Sequence, residues 1–172
     1  MPPNCRQVQV RKTVLVVVEG DTEFAFCRYL KTIGSHGRNL QIHIRNAHGG
    51  SPDKIAEYTQ RLARQSAYDQ VVILFDQDRP LGAEGEKIIR DLGAMDFRFS
   101  PCIEGFFLKL LGKPVANSAG FCKQMFHQSG LDEKAKCEYD SYGKIFPIAN
   151  FSQLSKDSQF DALWKLFTNE GK

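Results

Sequence analysis

Glu19 and Glu23 flank one turn in the stretch TVLVVVEGDTEFAFCRYL, and Asp76 and Asp78 stand two apart at the end of a second apolar run, VVILFDQDRP. Carboxylates gathered without compensation repel one another and raise each other's pKa values. A divalent cation relieves that repulsion. An all-oxygen set with no histidine or thiol beside either pair suits Mg²⁺ or Mn²⁺, which keep some waters and accept phosphate oxygens as further ligands. An ion so held polarises a phosphate, activates a water and steadies a leaving oxygen. The chemistry these residues point to is therefore phosphoryl or phosphodiester transfer.

The elements that must position these acids follow from hydrophobic patterning. Thr13–Val18 and Val71–Phe75 are short apolar runs and predict strands buried on both faces. Asp21 to about Ile33 reads as a helix. Leu40–Arg45 alternates with period two and reads as a strand nearer an edge. Ser51 and Pro52 make a helix start, a hydroxyl cap followed by the position where proline's missing N–H costs nothing. Glu84–Leu92 reads as a helix, Asp96–Ser100 as a short strand, and Pro101 as the start of a further helix. Alternation of strand and helix predicts an α/β fold with a mostly parallel four-stranded sheet and helices on both faces. In such a sheet ligands bind beyond the carboxyl ends of the strands. Glu19 and Asp76 close two strands; if the strands are neighbours, about 4.8 Å apart, both carboxylates reach one cation. Asp76 and Asp78 are expected to project the same way from extended backbone. Gly20 is read as permitting a sharp turn and Gly82 as loosening the loop after Asp78.

Plainer roles exist for some of these acids. Glu23 fits a first-turn acid favoured by the helix dipole, Asp21 an N-cap, and Asp78 a solvated turn. Glu19 has no comparable capping role.

Length and composition bound the rest. With 172 residues, 42% hydrophobic and 25% charged, the chain is of single-domain size. A formal charge of +3 permits an acidic partner without requiring one. The five cysteines form no CxxC pair; Cys27 and Cys102 read as small core residues. No apolar run reaches membrane length, so the expectation is a soluble, cytoplasmic protein with no membrane partner. The first twelve residues read as a short basic arm. Beyond Lys113 the pattern is loop-rich, with one helix near Phe121–His127 and an amphipathic helix at the end whose Phe160, Leu163, Trp164 and Phe167 share a face.

Other acidic sites on such sheets differ in order. A haloacid-dehalogenase-type phosphatase carries Asp-x-Asp after the first strand, a receiver domain a single phosphoacceptor Asp after the third, and a glycosyltransferase a longer chain. VVVEGDTE and LFDQDRPLG together resemble the Toprim domain, which places Glu-Gly after strand one and Asp-x-Asp after strand three; the resemblance spans residues 13–113. FSPCIEGFFLKLLGKP is similar to the helix that follows the fourth strand in RloB-like and OLD-type Toprim proteins, with Glu104 at the matching position. Ser100, Ile103 and Gly105-Phe106-Phe107 depart from that pattern.

The resemblance implies a Toprim-like three-layer α/β/α domain over 13–113, with 114–172 a helical extension packed on it. It implies Glu19 as metal ligand or general base, Asp76 and Asp78 as Mg²⁺ (or Mn²⁺) ligands, and Glu23 with Glu104 completing a second metal position. Toprim topoisomerases and primases need further domains, for which this chain has no room. The implied activity is a Mg²⁺-dependent nuclease acting on DNA or RNA, associated with phage defence and with a partner protein encoded nearby. The alternative is a non-catalytic module that binds metal, nucleotide or nucleic acid beside a partner. Lys109 and Lys113, four apart after Glu104, are the expected nucleic-acid contacts at the approach to the metals.

Overall fold

Val14 to Val18 are wholly buried, because their strand is central and covered on both faces. A computed structural model describes residues 11–35, 39–130 and 134–168. Strand β1 (Lys12–Val18) leads into helix α1 (Asp21–Gly34), followed by β2 (Leu40–Asn46), α2 (Pro52–Gln65), β3 (Gln70–Asp76), α3 (Ala83–Leu92), β4 (Met95–Phe99) and α4 (Ile103–Leu110). The sheet order is β2-β1-β3-β4, and every pairing is parallel. Lys12 belongs to β1, not to the expected arm, and residues 1–10 lie outside the described residues. The alternating burial of β2 fits its edge position, where the Lys31 Nζ donates to the Ile42 carbonyl at 2.8 Å.

Alternation sorts the strand side chains into two cores. Val14, Val16 and Val18 pack against Phe26 and Leu30 of α1 and Phe107 of α4. Leu15, Val17, Ile73 and Phe75 pack against Ile55 of α2 and Ile88 of α3. The fold is a three-layer α/β/α sandwich. From β1 the chain moves out to β2 through α1; from β3 it moves the other way to β4 through α3. The carboxyl ends of β1 and β3 therefore border the point where strand order reverses, the place where such sheets open a crevice.

The C-terminal third adds α5 (Ala119–His127), α6 (Tyr142–Ile145), α7 (Phe151–Leu154) and α8 (Ser158–Thr168), with one-turn 3₁₀ helices at Ala135–Cys137, Tyr139–Ser141 and Ile148–Asn150. Aromatic rings fasten it to the sheet layer. Phe107 lies 4.7 Å from Phe26, 5.6 Å from Tyr142 and 5.4 Å from Phe146, centroid to centroid. In α8, Phe160, Leu163 and Phe167 are buried while Trp164 is half-buried and stacks edge-on against Phe151. Among the described residues no helix is long and apolar enough to cross a membrane.

Two glycines act through space rather than through conformational freedom. Gly20 sits at φ −143°, ordinary extended backbone, but a Cβ there would meet the Glu23 Oε2 at 3.3 Å. Gly82 does not loosen its loop. Its N–H and that of Gly85 donate to the Asp53 carboxylate at 3.0–3.2 Å, so an acid from α2 caps α3 from outside. Loss of an N-cap acceptor costs about 1 kcal/mol, up to about 2. In a chain of this size each kcal/mol moves Tm by about 2–4 °C. Asp53→Ala is therefore expected to lower Tm by roughly 2–8 °C in a thermal melt; an unchanged Tm would mean that water replaces the cap without loss.

Candidate metal centre

Val18 pairs with Leu74 in the register of β1 and β3, so the residues after them emerge side by side. The Glu19 N–H donates to the Leu74 carbonyl at 3.1 Å, and the Glu19 Oε2 accepts the Asp76 N–H at 2.9 Å. Residues 57 positions apart thus meet at the sheet rim, as the strand-end reading requires. The loop after β2 closes over them: the Gly49 N–H donates to the Glu19 carbonyl at 2.7 Å, and the Asn46 Nδ2 to the Asp21 Oδ1 at 2.6 Å. Asp21 is the first helical residue of α1, and Gly20 holds the N-cap position.

Glu23 is buried, and its Oε2 accepts the Gly20 N–H at 3.2 Å. It caps its own helix while facing the other acids. Asp76 is also buried, and its Oδ1 accepts the Ile103 N–H at 2.9 Å. That acceptor explains why α4 starts at Ile103, with Cys102 as N-cap, two residues later than Pro101 suggests: Asp76 supplies the cap across the sheet end. Glu104 follows in the first turn and is 1% exposed. Its Oε2 is buried and has no hydrogen-bond partner among the described residues.

Donor atoms of Asp76, Cys102 and Glu104 lie within 4.8 Å of one another, a spacing from which a single ion can be held. Cys102 read as core in the sequence; it is buried, yet its thiol belongs to this group. Burial, with the charges of Glu104 and Asp76, pushes that thiol up in the metal-free protein. A hard cation such as Mg²⁺ would favour the two carboxylates over the thiol.

The charges are strained. Burial, with Glu104 and Glu19 alongside, pushes Glu23 up to about 7. Burial, with Glu23, Glu19 and Glu104, pushes Asp76 up to about 9 despite the Ile103 N–H. Half-buried Glu19 is raised by burial and by the Asp78 charge.

Asp78 departs from the expectation of shared projection. A turn follows Asp76, and Asp78 is exposed on it, where its charge acts on Glu19. Lys109 and Lys113 are also placed elsewhere. Helix α4 ends at Leu110, so Lys113 lies past it; the Lys109 Nζ pairs with Asp157 at 2.6 Å, and the Lys113 Nζ donates to the Ser129 Oγ at 2.7 Å. The lysines that do approach the acids come from the extension. Lys123 feels Glu104 and Asp76. Lys136, 8% exposed, puts its Nζ 3.3 Å from the Glu104 Oε1. Neither has a sequence signal, because both lie where hydrophobic periodicity is weak.

A separate cavity of about 570 Å³ runs between α1 and the edge strand β2. Phe24, Arg28, Lys31, His43 and Arg45 line it, and no described carboxylate does. No protein-family model, curated protein or solved structure matches this chain.

Proposed function

We propose that the acids at the β1 and β3 ends form a divalent-cation centre, Mg²⁺ or Mn²⁺, that cleaves phosphodiester bonds in nucleic acid. One observation carries the reading: four carboxylates, Glu19, Glu23, Asp76 and Glu104, converge at the sheet's reversal point, and a buried Glu104 oxygen has no hydrogen-bond partner among the described residues. A buried polar atom that is unpaired calls for an ion or water. Asp76 and Glu104 would hold the ion directly. When bound, it would polarise the phosphate and acidify a water.

The chain's own groups do the remainder. Glu19, half-buried with its affinity for protons raised, is suited to take a proton from the attacking water. Its bond to the Asp76 N–H fixes the carboxylate at the strand end. The turn carrying Asp78 is exposed to solvent beside Glu19. Arg28 and Arg45, exposed along the acid-free cavity, offer phosphate contacts in place of Lys109 and Lys113. The resemblance to Toprim proteins noted in the sequence supports the same assignment.

The burial of Glu23, Asp76 and Glu104 favours one alternative, in which the ion is bound without turnover by a module working with a partner. Single-stranded DNA, duplex DNA and RNA incubated with the full chain separate the two. Cleavage that requires Mg²⁺ or Mn²⁺ and stops on chelation is the expected result. Calorimetric Mg²⁺ binding with no cleavage of any of the three would support the alternative, and no binding at all would remove both.

A further inference from the structure

The resemblance assigns Glu23 and Glu104 to a second metal position, but the structure gives Glu104 a different counter-charge. Lys136 reaches it from a one-turn helix, Ala135–Cys137, and is buried there. Lysine is almost never fully buried unless paired. Here the pair is with Glu104, at 3.3 Å, and both side chains are nearly excluded from solvent, at 10% and 2%. The segment is fastened on the other side as well: the Tyr142 hydroxyl, itself buried, donates to the Lys136 carbonyl at 2.8 Å and lies 3.2 Å from the Thr22 carbonyl, one residue before Glu23. A tethered backbone thus delivers one ammonium into the carboxylate cluster.

We propose that the Lys136 ammonium stands in for a second metal ion, so that the centre binds one divalent cation, on the Asp76 side, with Lys136 a fixed positive charge on Glu104. This rests on the metal reading above and specifies its stoichiometry. The charges agree with it. Four carboxylates are balanced by one divalent ion together with Lys136 and Lys123, and the exposed Asp78 and Arg79, which also act on Glu19, offset each other. A second divalent ion would leave an excess of two positive charges and would have to displace Lys136 from Glu104. The Glu104 Oε2, without a hydrogen-bond partner among the described residues, remains for the first ion while the Oε1 stays with the lysine. Lys136 is here a positioning residue: it holds the charge and orientation of Glu104.

The test counts ions without nucleic acid, by titration calorimetry of Mn²⁺ into the full chain at neutral pH. One site is expected in the wild type and in Lys136→Arg, which keeps the charge. Two sites are expected in Lys136→Met, whose freed carboxylates accept another ion. Two sites in the wild type, or one in a folded Lys136→Met, would overturn the proposal; the first of these results would leave the metal reading standing. No Mn²⁺ bound by the wild type would remove the metal reading and this proposal together. Should Lys136→Met fail to fold, the counts for the wild type and Lys136→Arg decide: one ion in both supports a built-in charge, and two in either refutes it.

Discussion

In Asp76→Asn, the proposed Mg²⁺-dependent cleavage is expected to fall by roughly 10³-fold, while the metal-free protein is expected to melt higher than the wild type. The two effects have one cause. Asp76 is a buried carboxyl among three others, with its proton held up to about 9. Asparagine keeps an oxygen for the Ile103 N–H, so the cap of α4 survives. It also removes the cost of keeping a proton on a carboxyl that the unfolded chain would release near 4, and relief of even about 1 kcal/mol raises Tm by about 2–4 °C in a chain of this size. An amide cannot ionise as the carboxyl does when a cation displaces its proton, so the hold on the cation weakens. Lewis-acid stabilisation is worth several kcal/mol, and about 4 kcal/mol corresponds to roughly 10³ in rate. Glu19→Gln is expected to share the loss of cleavage. A gel assay paired with thermal melts of the same samples checks both effects. Cleavage within tenfold of the wild type in both variants would rule out these carboxylates as the reacting centre.

Stability of the metal-free protein is expected to fall steadily as pH rises from about 4 to about 9. The sign follows from proton linkage. Glu23 and Asp76 hold protons in the fold up to about 7 and about 9, whereas unfolded carboxyls release them near 4. Between those values the folded state binds more protons than the unfolded state, so each step up in pH favours unfolding. Their stabilising contribution is full below about 4 and is lost once pH passes the folded values. A divalent cation replaces the protons. Melting curves with saturating Mg²⁺ should therefore lose much of the slope, and Mg²⁺ affinity should strengthen as pH rises. Melts at pH 5, 7 and 9, with and without Mg²⁺, measure this directly. A metal-free Tm that does not change over that range would mean that the carboxylates are not strained.

The parts of this fold that repeat were legible in the sequence. β1 and β3 stand out because strands covered on both faces are apolar at every position, and β2 because an edge strand alternates. Glu19 and Asp76 could be paired from strand ends alone, since a parallel sheet brings its carboxyl ends together whatever the sequence distance. Asp78 could not be placed, because one turn residue after Asp76 cancels the extended geometry that the two-residue spacing assumes. The extension was largely illegible. Tyr142, Phe146 and Phe151 are buried one at a time from short turns, so no period marks them. Lys136 is invisible for the same reason: its burial depends on tertiary closure, and a lysine between Ala135 and Cys137 reads as surface. Gly20 was placed correctly beside Glu19, but for a different physical reason, the room needed by the Glu23 carboxylate.

The late position of Lys136 in the chain orders events during synthesis. A ribosome releases β1 through α4, with all four clustered acids, before the lysine that answers Glu104 has emerged. The sheet can form early, but its acidic end is electrostatically incomplete until the segment pinned by Tyr142 arrives. Closure of the acidic end thus waits for the extension, and until then a nascent chain carries the acids without the ammonium that tempers Glu104.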